Sequence, residues 1–303
     1  MDTRALETFV AVVDTGSFAQ AARRLNLTAA AIAQRIQTLE NEIGVDLVSR
    51  SGRTVAPTQA GTAILDHARR FVSDLRDLKS IAAQDQPAGE LRLGVIQTVL
   101  SGLLPGVLRV LTDKYPQIAV SIARETAGDL YAKVIDGKLD AAIIPQPSFA
   151  MPKTCAWQLL RREQLIVLAP ASEARRDPHT ILTSQPFIRQ NRNSWAGRLI
   201  DGYLRKARIR LHERFEVDGF EAIAVMVDRG LGVSLVHDWA PPWPEGLSLR
   251  KIPIPSNPFD RRIGVLWTRG TLRVHLVRAF LDSAGVSGAL RQPLDRTSQR
   301  KRS

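Results

Sequence analysis

Apolar side chains near the start of the chain recur at helical spacing. The first set is followed by Gly16, a residue type that favours helix C-termini, and it consists of Leu6, Phe9, Val10 and Val13. Ser17 and Thr28 are suited to cap two further helices, over 18–25 and 29–43. Because only Asn26, Leu27 and the cap Thr28 would separate these helices, the pattern predicts a tight helix-turn-helix.

A short hairpin and a long helix are predicted next. The apolar positions over 45–55 are interrupted by Ser51 and Gly52, which suits two short strands around a turn, that is, a small wing. A helical pattern then covers 58–86 and ends before Pro87. Its apolar residues follow heptad spacing: Ile64, Ala68, Phe71, Leu75, Leu78 and Ala82. We expect this helix to form a dimer interface. The alternative is packing on its own domain, although a helix of roughly 43 Å would extend beyond a small domain.

From residue 90 onward, patterns typical of strands alternate with helical patterns. Strands are expected near 91–96, 119–123, 141–144, 165–168, 187–189, 215–217, 233–236, 249–252 and 263–267. Helices are expected over 99–114, 130–136, 196–206, 221–228 and 272–281. This alternation predicts α/β units with a mostly parallel sheet, arranged as two halves.

The formal net charge of +12 is unevenly distributed along the chain. Residues 1–86 carry equal numbers of basic and acidic side chains, so the whole excess lies in the remainder. The N-terminal segment nevertheless holds two basic stretches without an acid, over 15–39 and 47–65. Local clusters of this kind indicate nucleic-acid binding better than net charge does.

Composition and motifs argue against several other classes of protein. Cys155 is the single cysteine, so one chain can form neither an internal disulfide nor a two-cysteine redox switch. The five histidines are dispersed, and hydrolase, zinc and phosphate-loop motifs are missing. We therefore expect no enzyme, no metal site and no cofactor. The sequence shows neither a signal peptide nor an apolar run of about 18 residues, so we expect a cytoplasmic protein without membrane contact.

Residues 6–61 carry a pattern specific enough to name a family. The segment LETFVAVVDTGSFAQAARRLNLTAAAIAQRIQTLENEIGVDLVSRSGRTVAPTQAG closely resembles the DNA-binding domain of LysR-type transcriptional regulators. Later segments resemble the effector domain of the same family: GELRLGV, LLPGVL, YPQIAV, GKLDAAI and DRGLGVSLV. The resemblance covers residues 2–285, or nearly the whole chain.

The resemblance implies a fold class of α plus α/β with defined domains. These are a winged helix-turn-helix over 1–57, a linker and dimerisation helix over 58–86, an effector-binding domain over 87–290 and a basic tail over 291–303. The tail is expected to be disordered. The effector domain is expected to be two-lobed, like periplasmic solute-binding proteins. Lobe I is expected near 90–161 and 268–290, and lobe II near 162–267.

The resemblance places DNA recognition on the third helix, its first turn and the wing. Alanine stands at 29, 30, 31 and 33, where the family more often carries polar side chains. Alanine can contact a thymine methyl but cannot hydrogen-bond a base edge. Direct readout is therefore expected from Thr28, Gln34 and Arg35. Arg35 would enter the major groove and Arg53 would lie near a minor groove; alternatively, Arg35 is a solvated surface residue. The expected DNA contacts are Ser17, Arg23, Thr28, Ala29, Ala30, Ala33, Gln34, Arg35, Arg50 and Arg53.

The resemblance places the effector between the two lobes. Thr98 and Ser194 each precede a predicted helix, where backbone N–H groups and the helix dipole favour an anion. No cleft acid is obvious from the sequence, which argues against a bare cation. We expect a small organic anion such as a carboxylate, with a ring or short chain. The expected effector contacts are Thr98, Thr126, Asn193, Ser194, Trp195, Phe220 and His237.

These features together predict a sequence-specific, DNA-binding transcription regulator that a small-molecule effector switches. Its expected partners are double-stranded DNA, the effector, further copies of the chain in a homodimer or homotetramer, and RNA polymerase. Two other classes stay open. One is a cytoplasmic small-molecule-binding protein or enzyme with no DNA role, and the other is an architectural nucleoid protein that binds DNA without sequence preference or ligand.

Overall fold

The computed structural model describes residues 2–51, 54–82, 87–254 and 259–286. The chain forms two compact units, residues 1–85 and 86–303. Among the described residues, no helix has both the length and the apolar character that crossing a membrane requires. The predicted tail over 291–303 and the wing residue Arg53 lie outside the described residues.

The described part of the N-terminal unit contains four helices and a hairpin. They are α1 (Thr3–Thr15), α2 (Phe18–Leu25), α3 (Ala29–Ile43), β1 (Val48–Ser51), β2 (Thr54–Pro57) and α4 (Gln59–Ala82). The predicted caps are confirmed, since the Ser17 and Thr28 hydroxyls accept from the N–H groups of Gln20 and Ala31 at 3.5 and 3.2 Å. Gly16 ends α1 in the left-handed region, at φ 64°. Local capping therefore sets the limits of the first three helices.

One apolar core holds the helix-turn-helix together. Phe9 of α1, Ile32 and Leu39 of α3, and Leu47 before the wing are each 0% exposed. Full burial of such side chains contributes about 1.5 to 3 kcal/mol each. The buried stripe on α3 therefore turns the opposite side of that helix towards solvent.

The first half of α4 belongs to this same core. Ala68 and Val72 are buried in it, and Ile64 packs against it. Phe71, in contrast, is 45% exposed and Leu75 is half-buried. The predicted heptad positions are thus divided between the unit's own core and its surface. The side chains of Leu78 and Ala82 lie outside the described set, so the dimer interface stays a prediction.

Lobe I of the C-terminal unit is built on a five-stranded sheet. Its strands are β3 (Gly89–Val95), β4 (Ile118–Arg124), β5 (Ala141–Pro145), β6 (Cys155–Glu163) and β12 (Arg261–Thr268). They lie in the order β4-β3-β5-β12-β6, with β3, β4 and β5 parallel and β12 antiparallel to both its neighbours. Its helices are a π-helical segment (Val99–Leu103) continued by α5 (Leu104–Lys114), then α6 (Ala127–Ile135) and α10 (Val274–Ser283).

Lobe II follows the same layered plan. Its strands are β7 (Leu165–Pro170), β8 (Pro186–Gln190), β9 (His212–Val217), β10 (Ser234–His237) and β11 (Leu249–Pro253). Its helices are α7 (Pro178–Ser184), α8 (Trp195–Ala207) and α9 (Phe220–Asp228). Strand β7 lies between β10 and β11, and β8 pairs with β9. A bridge between Phe187 and Val233 links the two groups of strands.

The strand pairing shows that the chain returns to lobe I earlier than the sequence predicted. The expectation placed residues up to 267 in lobe II, yet β12 pairs with β5 and β6 of lobe I. The chain therefore passes from lobe I to lobe II at Gln164 and returns between Ile254 and Arg261. Strand β6 and helix α7 were not among the predicted elements.

Candidate functional site

The solvent-facing side of α3 is defined by its buried stripe. Gln34, Gln37 and Thr38 are exposed on this side, and the Thr38 hydroxyl donates to the carbonyl of Gln34 at 2.9 Å. In the first turn Thr28, Ala29 and Ala30 are exposed, and Ala33 is half-buried. Gln37 and Thr38 were missed from the sequence, although the phase of the buried stripe places them outward. The helix thus presents amide, hydroxyl and methyl groups.

Arg35 lies on the flank of α3 rather than at the centre of its exposed side. The residue is half-buried, and its Nη1 donates a long hydrogen bond of 3.5 Å to Thr8 Oγ1 of α1. Gln34 occupies the more central outward position. The geometry therefore favours Gln34 over Arg35 for contact with base edges.

Three further predicted DNA contacts surround α3. Arg23, near the end of α2, is exposed and has no ion pair with another described residue, whereas Arg24 lies 3.5 Å from Asp14. Arg50 of β1 is exposed, and its guanidinium carbon lies 4.2 Å from the centre of the Phe18 ring. Ser17 caps α2 beside that ring. These groups form a basic rim with an apolar support under Arg50.

A cavity of about 790 Å³ lies between the two lobes of the C-terminal unit. Six of the seven predicted effector contacts line it: Thr98, Thr126, Asn193, Ser194, Trp195 and Phe220. They lie at or near strand-to-helix turns on both lobes, a position that the sequence predicted for Thr98 and Ser194. The structure therefore brings together residues that lie far apart along the chain.

His237 is the predicted contact that does not line the cavity. It is 0% exposed and lies behind Phe220, with 6.2 Å between the two ring centres. Its Nε2 donates to the carbonyl of Phe259 at 3.1 Å. Burial, assisted by the nearby Arg261 charge, lowers the pKa of His237 to about 3. The ring is therefore neutral and supports the wall instead of forming it.

Four helices begin at the cavity. Thr126 and Ser194 cap α6 and α8 through their hydroxyls, and Gly219 precedes α9. The first turns of α6 and α9 each contain an acid, whereas α8 and the π-helical segment after Thr98 have none. Because uncompensated helix N-termini favour negative charge, these two acid-free ends suit an anion best.

Thr98 differs from its predicted capping role. Its backbone is already helical, at φ −65° and ψ −24°, and its side chain makes no cap hydrogen bond. Instead, the buried Arg261 donates from Nη2 to Thr98 Oγ1 at 3.1 Å and from Nε to Glu163 Oε2 at 2.6 Å. With its oxygen accepting from Arg261, the Thr98 hydroxyl can direct its proton to a ligand. Arg261, which lines the cavity, was missed from the sequence.

The expectation of a cleft without an acid is wrong. Four carboxylates line the cavity: Glu125, Asp129, Asp218 and Glu221. They follow β4 and β9 or occupy first turns of α6 and α9, at two of the strand-to-helix turns that border the cavity. Three arginines accompany them: Arg124, Arg198 and Arg261. The cavity therefore presents both signs of charge.

An aromatic group contributes Trp195 to one side of the cavity. Trp195 of lobe II packs against Phe149 and Tyr131 of lobe I, with ring centres 5.7 and 6.3 Å away. Phe149 and Tyr131 meet edge to face at 5.2 Å. Edge-to-face pairs of this kind are favourable beyond their buried area. This wall would accommodate the apolar part of a ligand.

Comparison with known proteins identifies the family. Residues 3–62 match the family described as "Bacterial regulatory helix-turn-helix protein, lysR family", and residues 84–285 match "LysR substrate binding domain". The probable HTH-type transcriptional regulator LrrA of Synechococcus elongatus is 29% identical over 298 residues, covering 93% of this chain and 96% of that protein. The HTH-type transcriptional regulator ClcR of Pseudomonas putida is 30% identical over 247 residues, covering 78% and 83%.

A solved structure shares the fold. Full-length CbnR, determined in complex with its target DNA, superposes with a TM-score of 0.63 at 23% identity, covering 95% of this chain and all of that chain. The matching families and relatives are regulators and not enzymes, as the sequence predicted. The chain is therefore a member of the LysR family of DNA-binding transcriptional regulators, with an N-terminal winged helix-turn-helix and a C-terminal effector-binding domain.

Proposed function

We propose that this regulator is switched by a small organic anion, most simply a carboxylate, bound in the cavity between the lobes. The observation that carries the proposal is the pair of acid-free helix N-termini at Thr98 and Ser194, which line the same cavity. Backbone N–H groups and hydroxyl donors at such ends stabilise negative charge. The aromatic wall at Trp195 would receive the apolar part of the ligand.

Switching requires that the ligand bind one arrangement of the regulator better than another. A ligand that contacts both Thr98 on lobe I and Ser194 on lobe II favours one relative position of the lobes. Such a ligand shifts the regulator's population towards the arrangement that it binds more tightly. The ratio of its affinities for the two arrangements limits the size of the shift.

The anion proposal is tested by calorimetry of the full-length chain with a panel of small carboxylates. Thr98→Val and Ser194→Ala should each weaken carboxylate binding while leaving DNA affinity without ligand unchanged. Ser194→Ala also removes a helix cap, worth about 1 kcal/mol. Asp177→Ala, which removes the cap of α7, supplies the matched control and should leave binding unchanged. Normal carboxylate binding by both cavity variants, or binding only of compounds that carry no carboxylate group, would contradict the proposal.

For operator recognition we propose that the outward side of α3 contacts base edges. Its exposed groups support roles for Thr28, Ala29, Ala30, Ala33 and Gln34 in the major groove. The rim would contact phosphates through Ser17, Arg23 and Arg50, together with Arg35 on the flank of α3. Arg53, which lies outside the described residues, stays a contact expected from the sequence. Sequence preference is tested by retention of DNA upstream of its own gene in the presence of a scrambled competitor.

We also propose that the regulator works as a homodimer or homotetramer in the cytoplasm and contacts RNA polymerase. The exposed Phe71 and half-buried Leu75 on α4 support self-association, because they follow the heptad spacing. Sedimentation velocity of the full-length chain tests the oligomeric state.

A further inference from the structure

The charges that line the effector cavity do not suit an anion alone. Three arginines and four carboxylates line it. Arg261 is paired with Glu163 and Glu125 with Lys133, both partners outside the lining, so two arginines remain against three carboxylates. A purely anionic ligand would meet this acidic excess, whereas a purely cationic ligand would meet the two acid-free helix N-termini. A ligand that carries both charges satisfies both parts of the wall.

Glu221 is the carboxylate best placed to bind a cation. Its Oε1 accepts from Ser101 Oγ at 3.2 Å and its Oε2 accepts from Gln97 Nε2 at 3.4 Å. Both donors are neutral, and no described basic side chain forms an ion pair with Glu221. Glu125 in the same cavity is, by contrast, already paired with Lys133. A charged donor at Glu221 would form a stronger hydrogen bond than either neutral one.

Gln190 supplies a second, independent sign of a ligand with N–H donors. The residue lines the cavity and is 4% exposed. Its Nε2 lies 3.5 Å from Asp218 Oδ1, and because an ionised carboxylate only accepts, this contact assigns the amide orientation. Gln190 Oε1 is then left without a hydrogen-bond partner among the described residues. Buried polar atoms are normally paired, so this orphan acceptor at the cavity wall indicates a missing donor, which would reach the enclosed Oε1 after a turn of the Gln190 amide.

The anion-binding and cation-binding groups are close neighbours. Thr98 follows Gln97, which donates to Glu221 across the cavity. The Arg261 guanidinium, which donates to Thr98, lies 4.9 Å from the centre of the ring of Phe220, the residue before Glu221. The two kinds of group therefore belong to consecutive residues on each wall, Gln97 and Thr98 on lobe I and Phe220 and Glu221 on lobe II.

An α-amino acid carries its ammonium and carboxylate groups on one carbon atom, which matches this spacing. We propose, building on the proposed anionic effector, that the effector is an α-amino acid. Its carboxylate binds at Thr98 and the nearby helix N-termini, and its ammonium group donates to Glu221, with Gln190 as a further acceptor. The side chain lies against Trp195, which favours an apolar or aromatic one.

The test is calorimetry of the full-length chain with matched compounds. The standard L-amino acids are screened first. For each one that binds, the carboxylic acid without the amino group and the amine without the carboxylate are titrated. A hydrogen bond to a charged group corresponds to about a tenfold to hundredfold change in affinity. We expect the amino acid to bind at least about tenfold more tightly than its carboxylic acid.

Two variants separate recognition from a structural role of Glu221. Glu221→Gln should remove the preference by weakening the amino acid, and it should not weaken the carboxylic acid, whose anion then lies near one negative charge fewer. Ser101→Ala removes a hydrogen bond from the same carboxylate without changing charge, and it should keep the preference. Equal weakening of both compounds by E221Q would instead mean that Glu221 only shapes the cleft and would overturn the assignment.

The comparison of amino acid with carboxylic acid on the wild-type chain needs no variant. It therefore tests the proposal even if E221Q fails to fold. Equal affinity for amino acid and carboxylic acid, or no binding of any standard amino acid, overturns the amino-acid proposal. If only simple carboxylates bind, the anionic effector stands and the amino acid is wrong. If only amines bind, both proposals are wrong.

Discussion

Replacing Glu163 by glutamine should destabilise the C-terminal unit strongly. Glu163 and Arg261 are 3% and 2% exposed, and Arg261 Nε lies 2.6 Å from Glu163 Oε2. The substitution preserves the shape of the side chain but leaves a buried guanidinium without its counter-charge. Breaking a buried ion pair from one side costs about 3 to 5 kcal/mol. Because Arg261 borders a cavity that can admit water, we expect the lower end, about 3 kcal/mol.

Tryptophan fluorescence in urea measures this loss for the C-terminal unit alone. All tryptophans lie in that unit: Trp157, Trp195, Trp239, Trp243 and Trp267. The control is the double variant Glu163→Leu with Arg261→Met, in which no fully buried charge is left unpaired. Arg161, 3.8 Å from Glu163, has a side chain that is 38% exposed and can be solvated. It should lose less stability than Glu163→Gln alone, because replacing a whole buried pair by apolar side chains is often nearly neutral. If Glu163→Gln changes the free energy of unfolding by less than about 0.5 kcal/mol, the pair is effectively solvated and the reasoning fails.

The other predictions concern DNA, assembly and pH. Gln34→Ala should reduce discrimination between operator and unrelated DNA by about 1 to 3 kcal/mol, whereas Arg35→Ala should weaken both about equally. Fluorescence anisotropy with both DNAs gives the ratio, and an unchanged ratio in the Gln34 variant would exclude base readout. Arg50→Ala should flatten the slope of log affinity against log salt by about 0.9, and an unaltered slope would place Arg50 outside the interface. Leu75→Asp should produce monomer in sedimentation velocity; an intact oligomer would locate the interface elsewhere. Because the pKa of His237 falls to about 3 on folding, the unfolded chain binds a proton below pH 6.5 that the folded unit rejects. Stability should therefore fall between pH 6.5 and 3, by up to about 1.4 kcal/mol per pH unit, and His237→Gln should reduce this slope.

The N-terminal helices were predictable because local chemistry determines their ends. Ser17 and Thr28 cap α2 and α3 through their own hydroxyls, and Gly16 and Gly44 end α1 and α3 with left-handed backbones. None of these interactions needs a partner far along the chain. The limits of α1, α2 and α3 could therefore be read from a few consecutive residues.

Strand β6 shows why other elements were missed. Its sequence, CAWQLLRRE, mixes apolar and charged residues without a clean alternation. The strand exists because it pairs with β12, where Trp267 lies opposite Ala156 and Arg261 opposite Glu163. Strand formation of this kind depends on cross-strand neighbours more than on intrinsic preference. The same pairing places β12 in lobe I and not in lobe II, where it was predicted.

The candidate site was predictable only in part, for a similar reason. Thr98 and Ser194 could be found because each follows a predicted strand and lies before a predicted helix in the sequence, which is a local signal. The hydrogen bond between Arg261 and Thr98 joins residues 163 positions apart. No spacing rule connects them, and Glu163 becomes their neighbour only when the lobe I sheet forms. Asp129 and Glu221 lie at or beside the starts of two predicted helices. Only the folded structure shows that both carboxylates line the same cavity.

The basic excess of the C-terminal residues does not define the ligand. Arg189 is 7% exposed and pairs with Asp201 and Glu213, and Arg192 lies 3.0 Å from Glu216. These charges are neutralised within lobe II. Screening limits exposed charges to a range of about 8 to 10 Å at ordinary salt, so distant arginines add little to the field in the cavity. The lining residues therefore decide the preference, and among them acids outnumber arginines. A zwitterion with no net charge fits that lining better than a strong anion, although the chain as a whole is basic.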